Sequence, residues 1–446
     1  MASAPPDEST VTDLPPIEPT HPLLIGKFRA FLVVRLATIL GSQGMALIIA
    51  WQAYNIARRT MDAPQAAAQL GIIGLIQFIA LFAVTPFAGL AADTMSRTRL
   101  AQITLTTLFC CTLFLALGSY EGWTSLPMIF CVAVVLGICR AFQAPALSSL
   151  APNLVPKSLL PRAIAFSSMV WQTGAIIGPA IGGFAYSLTP SAAYLASGGL
   201  FLTAATCLFI VGKVPQAAPD RKRRPIGQIL DGLSYVRENR LVLGAITLDL
   251  FAVLLAGTTA LLPVYARDIL HVDSRGLGML AAAPGAGALV TALWFSFAPL
   301  RHNVGVKMLA SVFVFGLATI IFGSTAFLPK GLDMIVAMGA MAMWGSADMF
   351  SVFVRSSLIQ LHTPDVMRGR VSAVSGLTIS ASNELGEAES GFLAALIGPV
   401  QAVILGGVGA ILITLIWSRL FPELKLARTF DPPDMRTDHP AKENQA

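Results

Sequence analysis

Residues 137–184 read GICRAFQAPALSSLAPNLVPKSLLPRAIAFSSMVWQTGAIIGPAIGGF, and 208 positions later residues 345–392 read GSADMFSVFVRSSLIQLHTPDVMRGRVSAVSGLTISASNELGEAESGF. The two stretches align without a gap and agree at 13 of 48 positions. The matches include Gly137 with Gly345, Phe142 with Phe350, Ser148-Ser149-Leu150 with Ser356-Ser357-Leu358, Gly178 with Gly386, and Gly183-Phe184 with Gly391-Phe392. Shared Ala, Gly and Leu bias explains some of them, but Pro156 with Pro364 and Arg162 with Arg370 are not bias residues. The chain therefore carries a duplicated pair of apolar segments, each pair joined by a short polar stretch.

Working outward, 55% of the 446 residues are apolar and 12% are charged, where soluble domains carry about 25% charged residues. One membrane helix needs ~20 mostly apolar residues. Such runs recur at about 28–54, 70–93, 100–119, 127–150, 163–187, 193–212, 241–265, 276–298, 307–327, 334–358, 371–395 and 400–420. This predicts an all-α membrane protein with twelve spans, and the repeat sets spans four and five on ten and eleven, so the architecture is two six-helix bundles in parallel orientation.

The chain divides accordingly. Residues 1–26 hold six prolines and four acids without Lys or Arg, which predicts a disordered tail and not a signal peptide. Residues 27–212 form the first bundle, 213–240 a linker, 241–420 the second bundle and 421–446 a second tail. The linker contains Lys213, Arg221, Lys222, Arg223, Arg224, Arg237 and Arg240. With the linker and both termini on one side, 22 of the 30 Lys and Arg fall there, against Arg58, Arg59, Arg267, Arg275 and Lys330 on the other. That asymmetry predicts cytoplasmic termini. Within the linker, Ile226, Ile229, Leu230 and Leu233 share one face of a surface helix at the lipid boundary, a plain linker being the alternative.

Several chemistries lack their signatures. The five cysteines sit in apolar runs as small hydrophobes, and the histidines avoid the interiors of those runs. There is no phosphate-binding G-x-x-x-x-G-K-S/T loop and no G-x-S-x-G elbow. An enzyme is not expected, no cofactor is called for, and transport energy would come from a gradient. The expected partners are a small-molecule substrate and the lipid bilayer, with no nucleic acid, and the expected state is a monomer.

The stretch Gly89-Leu90-Ala91-Ala92-Asp93-Thr94-Met95-Ser96-Arg97-Thr98-Arg99 resembles the G-x-L-x-D-R-x-G-R-K/R loop of the major facilitator superfamily. Gly89, Asp93, Arg97 and Arg99 match, whereas Thr94 and Ser96 replace the usual Arg and Gly. The resemblance implies a latch between the halves on the cytoplasmic side; an ordinary basic loop is the alternative. Gly174-Ala175-Ile176-Ile177-Gly178-Pro179-Ala180-Ile181-Gly182-Gly183 resembles the G-x-x-x-G-P-x-x-G-G motif found mainly in exporters and antiporters of that superfamily. Glycines at that spacing also allow close helix contact with no bearing on direction. Trp51-Gln52-Ala53-Tyr54-Asn55, Thr363-Pro364-Asp365 leading to Arg368-Gly369-Arg370-Val371, and Asn383-Glu384-Leu385-Gly386-Glu387 with Ser390-Gly391 look like the branch that contains the bacterial enterobactin exporter. This implies a proton-coupled exporter of siderophores or other small amphipathic compounds in the bacterial cytoplasmic (inner) membrane.

Ionisable residues inside spans are costly and normally face a partner or a wet cavity. Arg35, Arg140, Asp249 and Asp348 fall on spans one, four, seven and ten, the helices that line the central cavity in the superfamily. Two cross-half pairs, Arg35 with Asp249 and Arg140 with Asp348, are expected to form when the cavity closes and to separate when substrate or protons enter; a partner within the same half or a snorkelling side chain is the alternative. Arg355 reads as an interfacial anchor. Span eleven carries Glu384, Glu387 and Glu389, candidates for proton coupling, with structural and substrate-binding roles left open. Competing overall readings are a lipid or lysophospholipid flippase with a laterally open cavity, an uncoupled facilitator, and a scaffold or receptor that no longer transports.

Overall fold

The computed structural model describes residues 21–148, 150, 153–212, 214, 225–298, 300 and 302–430. The predicted disordered tail and the basic run Arg221 to Arg224 lie outside the described residues, apart from the last part of that tail. Among the described residues the chain is helical and has no strand.

Six helices make the first half: α1 Gly26–Ala57, α2 Ala63–Thr94, α3 Arg97–Glu121, α4 Leu126–Ser148, α5 Leu160–Leu188 and α6 Pro190–Val211. After α7 (Pro225–Glu238), the seventh span is α8 Arg240–Leu255 followed by a 3-10 turn, the short α9 Leu262–Val264 and a π turn Tyr265–Ile269. Spans eight to twelve are α10 Ser274–Phe297, α11 Val304–Ser324, α12 Leu332–Leu361, α13 Asp365–Ile397 and α14 Pro399–Leu420, and α15 Pro422–Leu426 follows. Eleven spans are long and apolar enough to cross a membrane unaided. The twelfth, α13, falls short of that by composition because of its acids and arginines, yet it packs as its repeat partner α5 does.

Local signals set the boundaries. Asp62 accepts from the Gln65 N–H at 2.8 Å to start α2, Thr189 from Ala192 at 3.0 Å to start α6, and Asn239 from Val242 at 3.2 Å to start α8. Gly122, with φ +79°, closes α3 in the left-handed conformation. The seventh span differs from the single helix predicted for 241–265. It breaks at Gly257, where a Cβ would collide with the Gly386 backbone, so α13 crosses where α8 loses its regular hydrogen bonds.

Helix packing repeats under a shift of six spans. In the first half α1 packs on α5 and α6, α2 on α4, and α3 on α4 and α6; in the second, α8 packs on α13 and α14, α10 on α12, and α11 on α12 and α14. The main helix contacts between halves obey the same symmetry, α2 with α13 and α5 with α10. Because each half has an even number of spans, α1 starts and α6 and α14 end on one face, called here the terminal face. The other is the far face.

The predicted surface helix is α7. It sits against α13, where Gly232 meets the Arg370 backbone, Asp231 pairs with Arg370 at 2.9 Å and the Tyr235 hydroxyl donates to the His362 carbonyl at 2.9 Å. Leu230 and Leu233 remain exposed; the side chains of Ile226 and Ile229 lie outside the described residues.

Candidate functional site

Cross-half contacts gather toward the far face. Residues matched by the repeat build them. On α5, Cβ atoms at Gly174, Gly178 and Gly182 would fall 2.7 Å from Ile39, 2.9 Å from Gln43 and 2.9 Å from Gly44, so one glycine face lies flush against α1. Gly183 turns the other way and meets Ser274 and Gly278 of α10, and the Pro179 carbonyl also lies against Gly278. The copies do the same work: Gly386, matched to Gly178, lies on Val253 and Leu254 of α8, and Gly391, matched to Gly183, lies on Gly71 of α2. The exporter-type motif thus serves both the packing within its half and the seam between halves. Toward the terminal face Phe82, Phe87, Met169, Trp294 and Phe297 are exposed.

A polar clasp sits at the far-face end of this seam. Asp268, on the π turn of the second half, accepts from the Tyr54 hydroxyl and from Arg58 Nε at 3.0 Å, both of α1 and its C-cap. Arg267 donates to the Asn55 side chain at 2.6 Å. Arg58 and Arg267, exceptions to the charge asymmetry, therefore have a local function. Sequence reasoning reached Tyr54 and Asn55 only through the Trp51 to Asn55 resemblance and Arg58 and Arg267 only as loop cations, and it passed over Asp268. Asp268→Ala removes both bonds to α1; at about 1.5 kcal/mol for each bond to a charged group, the closed far face is expected to lose roughly a hundredfold in population. Spin-label distances between the ends of α1 and α10 would widen, and unchanged distances would show that the glycine seam holds this face alone.

At the inner end of the seam lies a charged contact between halves. Gly137 lets α4 approach α2 so closely that its Cβ would fall 2.6 Å from the Gln77 carbonyl oxygen. One turn on, Arg140 donates to the Glu384 carboxylate of α13 and lies 3.5 Å from Gln77 Oε1. The Arg140 side chain is 55% exposed and the Glu384 side chain 4%, so the cation is accessible while the acid sits in the seam. Glu384 Oε2 is buried without a protein partner. Glu387, three residues on and on the same face, packs its Cβ against Gly74 of α2. Glu389 is about 140° round the helix from Glu384 and is 3.5 Å from Ser390 Oγ, so the three acids do not form one cluster.

The expected pairings are corrected here. Arg140 pairs with Glu384 and not Asp348. Asp249 pairs with Arg355 of α12, inside its own half, and not with Arg35. Arg355, read as an interfacial anchor, is 3% exposed and Asp249 7%. Asp348 shares with Asp249 a narrow cleft of about 10 Å³, lined also by Ser351 and Phe315. Arg35 has a buried Nε without a protein partner and no ion pair among the described residues. A seven-residue spacing between Asp348 and Arg355, on one face of α12, was the available signal that an arginine stood within reach of the acid on span seven.

The loop from Gly89 to Arg99 lies at the terminal face. A Cβ at Gly89 would meet nothing within 4 Å and Arg99 is exposed; Arg97 is half-buried, and the Asp93 side chain lies outside the described residues. No cluster of three or more metal-ligating side chains occurs among the described residues.

The family profile described as Major Facilitator Superfamily matches residues 28–387. The enterobactin exporter EntS of Citrobacter koseri is 26% identical over 420 residues, covering 93% of this chain and 95% of that protein. EntS from Escherichia coli O1:K1 matches over the same shares at 26% identity. Among solved structures, a D-xylose-proton symporter superposes with a TM-score of 0.69 at 13% identity, over 89% of this chain and 98% of that one. A bacterial homolog to the human lysosomal transporter Spinster, in an inward-facing and occupied conformation, gives 0.67 at 14% identity, over 89% and 97%. At these identities the structures share the fold.

Proposed function

Because the chain belongs to the major facilitator superfamily and is a multi-pass membrane transporter, we propose that it is a proton-coupled exporter of a siderophore or another small amphipathic compound, working by alternating access. The terminal face is then cytoplasmic, as the excess of Lys and Arg there supports, and the membrane is the bacterial inner membrane. The protein acts as a monomer, changes no covalent bond in its substrate and uses the proton gradient in place of any cofactor.

The observation that carries this reading is the Arg140–Glu384 contact. It places a buried carboxylate with one unsatisfied oxygen in the seam that must open, next to a cation that faces the space where substrate enters. An anionic or catechol-bearing substrate arriving from the cytoplasm competes for Arg140. Loss of that partner leaves Glu384 as a bare charge in the seam, which is costly, and favours separation of α2 from α13. Once the far face opens, protons from outside neutralise Glu384 and its neighbour Glu387, and the empty carrier returns. Similarity to the enterobactin exporter EntS supports the direction and the substrate class.

The test uses purified protein in liposomes with a pH-sensitive dye inside and a panel of catechol siderophores and amphipathic drugs outside. Substrate-triggered proton movement is expected, and Glu387→Gln is expected to abolish it while substrate still binds. Substrate movement without any proton signal would make the protein a facilitator or a flippase and reduce the α13 acids to structure.

A further inference from the structure

Away from the seam, α14 and α15 form an open groove of about 690 Å³ on the outer surface, near the terminal face, lined by Leu412, Leu415, Ile416, Arg419 and Lys425 among others. The first four fall at i, i+3, i+4 and i+7, one stripe of α14. The three apolar residues are exposed, as the lipid-facing side of a span would be. The stripe ends in a cation, and a second cation is brought beside it by the turn into α15.

That turn is firmly built. Leu424 is fully buried, and a Cβ at Gly305 would collide with the Leu424 carbonyl. The Gly305 N–H donates to the Ala427 carbonyl at 3.0 Å. Arg240 donates to Glu423 at 2.7 Å and to the Leu420 carbonyl at 2.8 Å, and its guanidinium lies 5.4 Å over the Phe421 ring. Glu423, the acid nearest in sequence, is thereby engaged by Arg240. Arg419 and Lys425 are both exposed and neither forms an ion pair with any acid among the described residues.

Two cations without acidic partners among the described residues, at the end of an apolar groove, suit a ligand with an anionic head and a hydrocarbon tail. The seven steps from Leu412 to Arg419 span about 10 Å, enough for the upper part of an acyl chain. Basic pockets at this level of a membrane protein hold anionic headgroups. We propose that this groove binds an anionic phospholipid, with the phosphate between Arg419 and Lys425 and an acyl chain along Leu412, Leu415 and Ile416.

Native mass spectrometry of the full-length protein in detergent tests this, titrating phosphatidylglycerol against phosphatidylcholine of the same acyl chains. The wild type is expected to retain phosphatidylglycerol preferentially. The Arg419→Ala/Lys425→Ala double variant is expected to lose roughly tenfold or more of that preference, with phosphatidylcholine adducts unchanged. Arg419→Lys, which keeps the charge, should retain most of it, and equal unfolding temperatures would establish that the variants are folded. Equal retention of the two lipids by the wild type, or an undiminished preference in the double variant, would overturn the proposal. Displacement of the lipid by glycerol phosphate at matching concentrations would also overturn it, since the groove would then be a phosphate site indifferent to the chain.

Discussion

Arg355→Ala is expected to destabilise the protein by about 3–5 kcal/mol, the cost of leaving one member of a buried ion pair alone. Asp249 and Arg355 are both nearly inaccessible and face each other between α8 and α12. Asp348 shares the cleft beside them, so removing the guanidinium leaves two carboxylates close together without their cation. Thermal unfolding in detergent and folded yield by size-exclusion chromatography measure the loss. The paired replacement Asp249→Leu/Arg355→Met is expected to recover most of it, because apolar side chains of similar volume fill the site without desolvation cost. An Arg355→Ala variant that unfolds at the wild-type temperature would show that the pair does not hold α8 to α12.

Breaking the contact between halves is expected to act on transport more than on folding. Arg140 is more than half exposed while Glu384 is buried, so the two single variants differ in the size of their effect on stability. Arg140→Ala leaves the Glu384 charge in the seam and should cost about 2–3 kcal/mol, together with substrate-driven transport. Glu384→Gln leaves an exposed cation that solvent can reach, so stability should hold, while proton movement in liposomes is lost. The double variant Arg140→Gln/Glu384→Gln should return to wild-type stability without regaining coupling. Transport by the double variant at the wild-type rate would remove this contact from the mechanism and leave it as a packing feature.

The functional residues divide by how visible they are in one dimension. Glycines whose role is close approach stood out because Gly178 with Gly386 and Gly183 with Gly391 repeat 208 positions apart. The structure places each copy against the equivalent helix. Ionisable residues in spans stood out through their cost in an apolar run, so Arg140, Asp249, Asp348 and Glu384 were all identified. Their partners were not. Asp268 and Tyr54 drew no attention as a pair, since neither is anomalous near the end of a span, and only the π turn in the seventh span brings them together.

Hydropathy and internal repetition by themselves determined twelve spans, two equivalent halves and which residues are out of place in lipid, because those properties depend on composition and on spacing along a helix. Tertiary structure alone decided who pairs with whom. A helix sequence specifies the face and approximate depth of a side chain, but not the rotation and tilt of its neighbours. An arginine also has enough reach to choose among acids on several helices. Arg355 thus takes Asp249 within its half, Arg140 reaches across to Glu384, and the seam closes at the far face where glycines let α2 meet α13 and α5 meet α10.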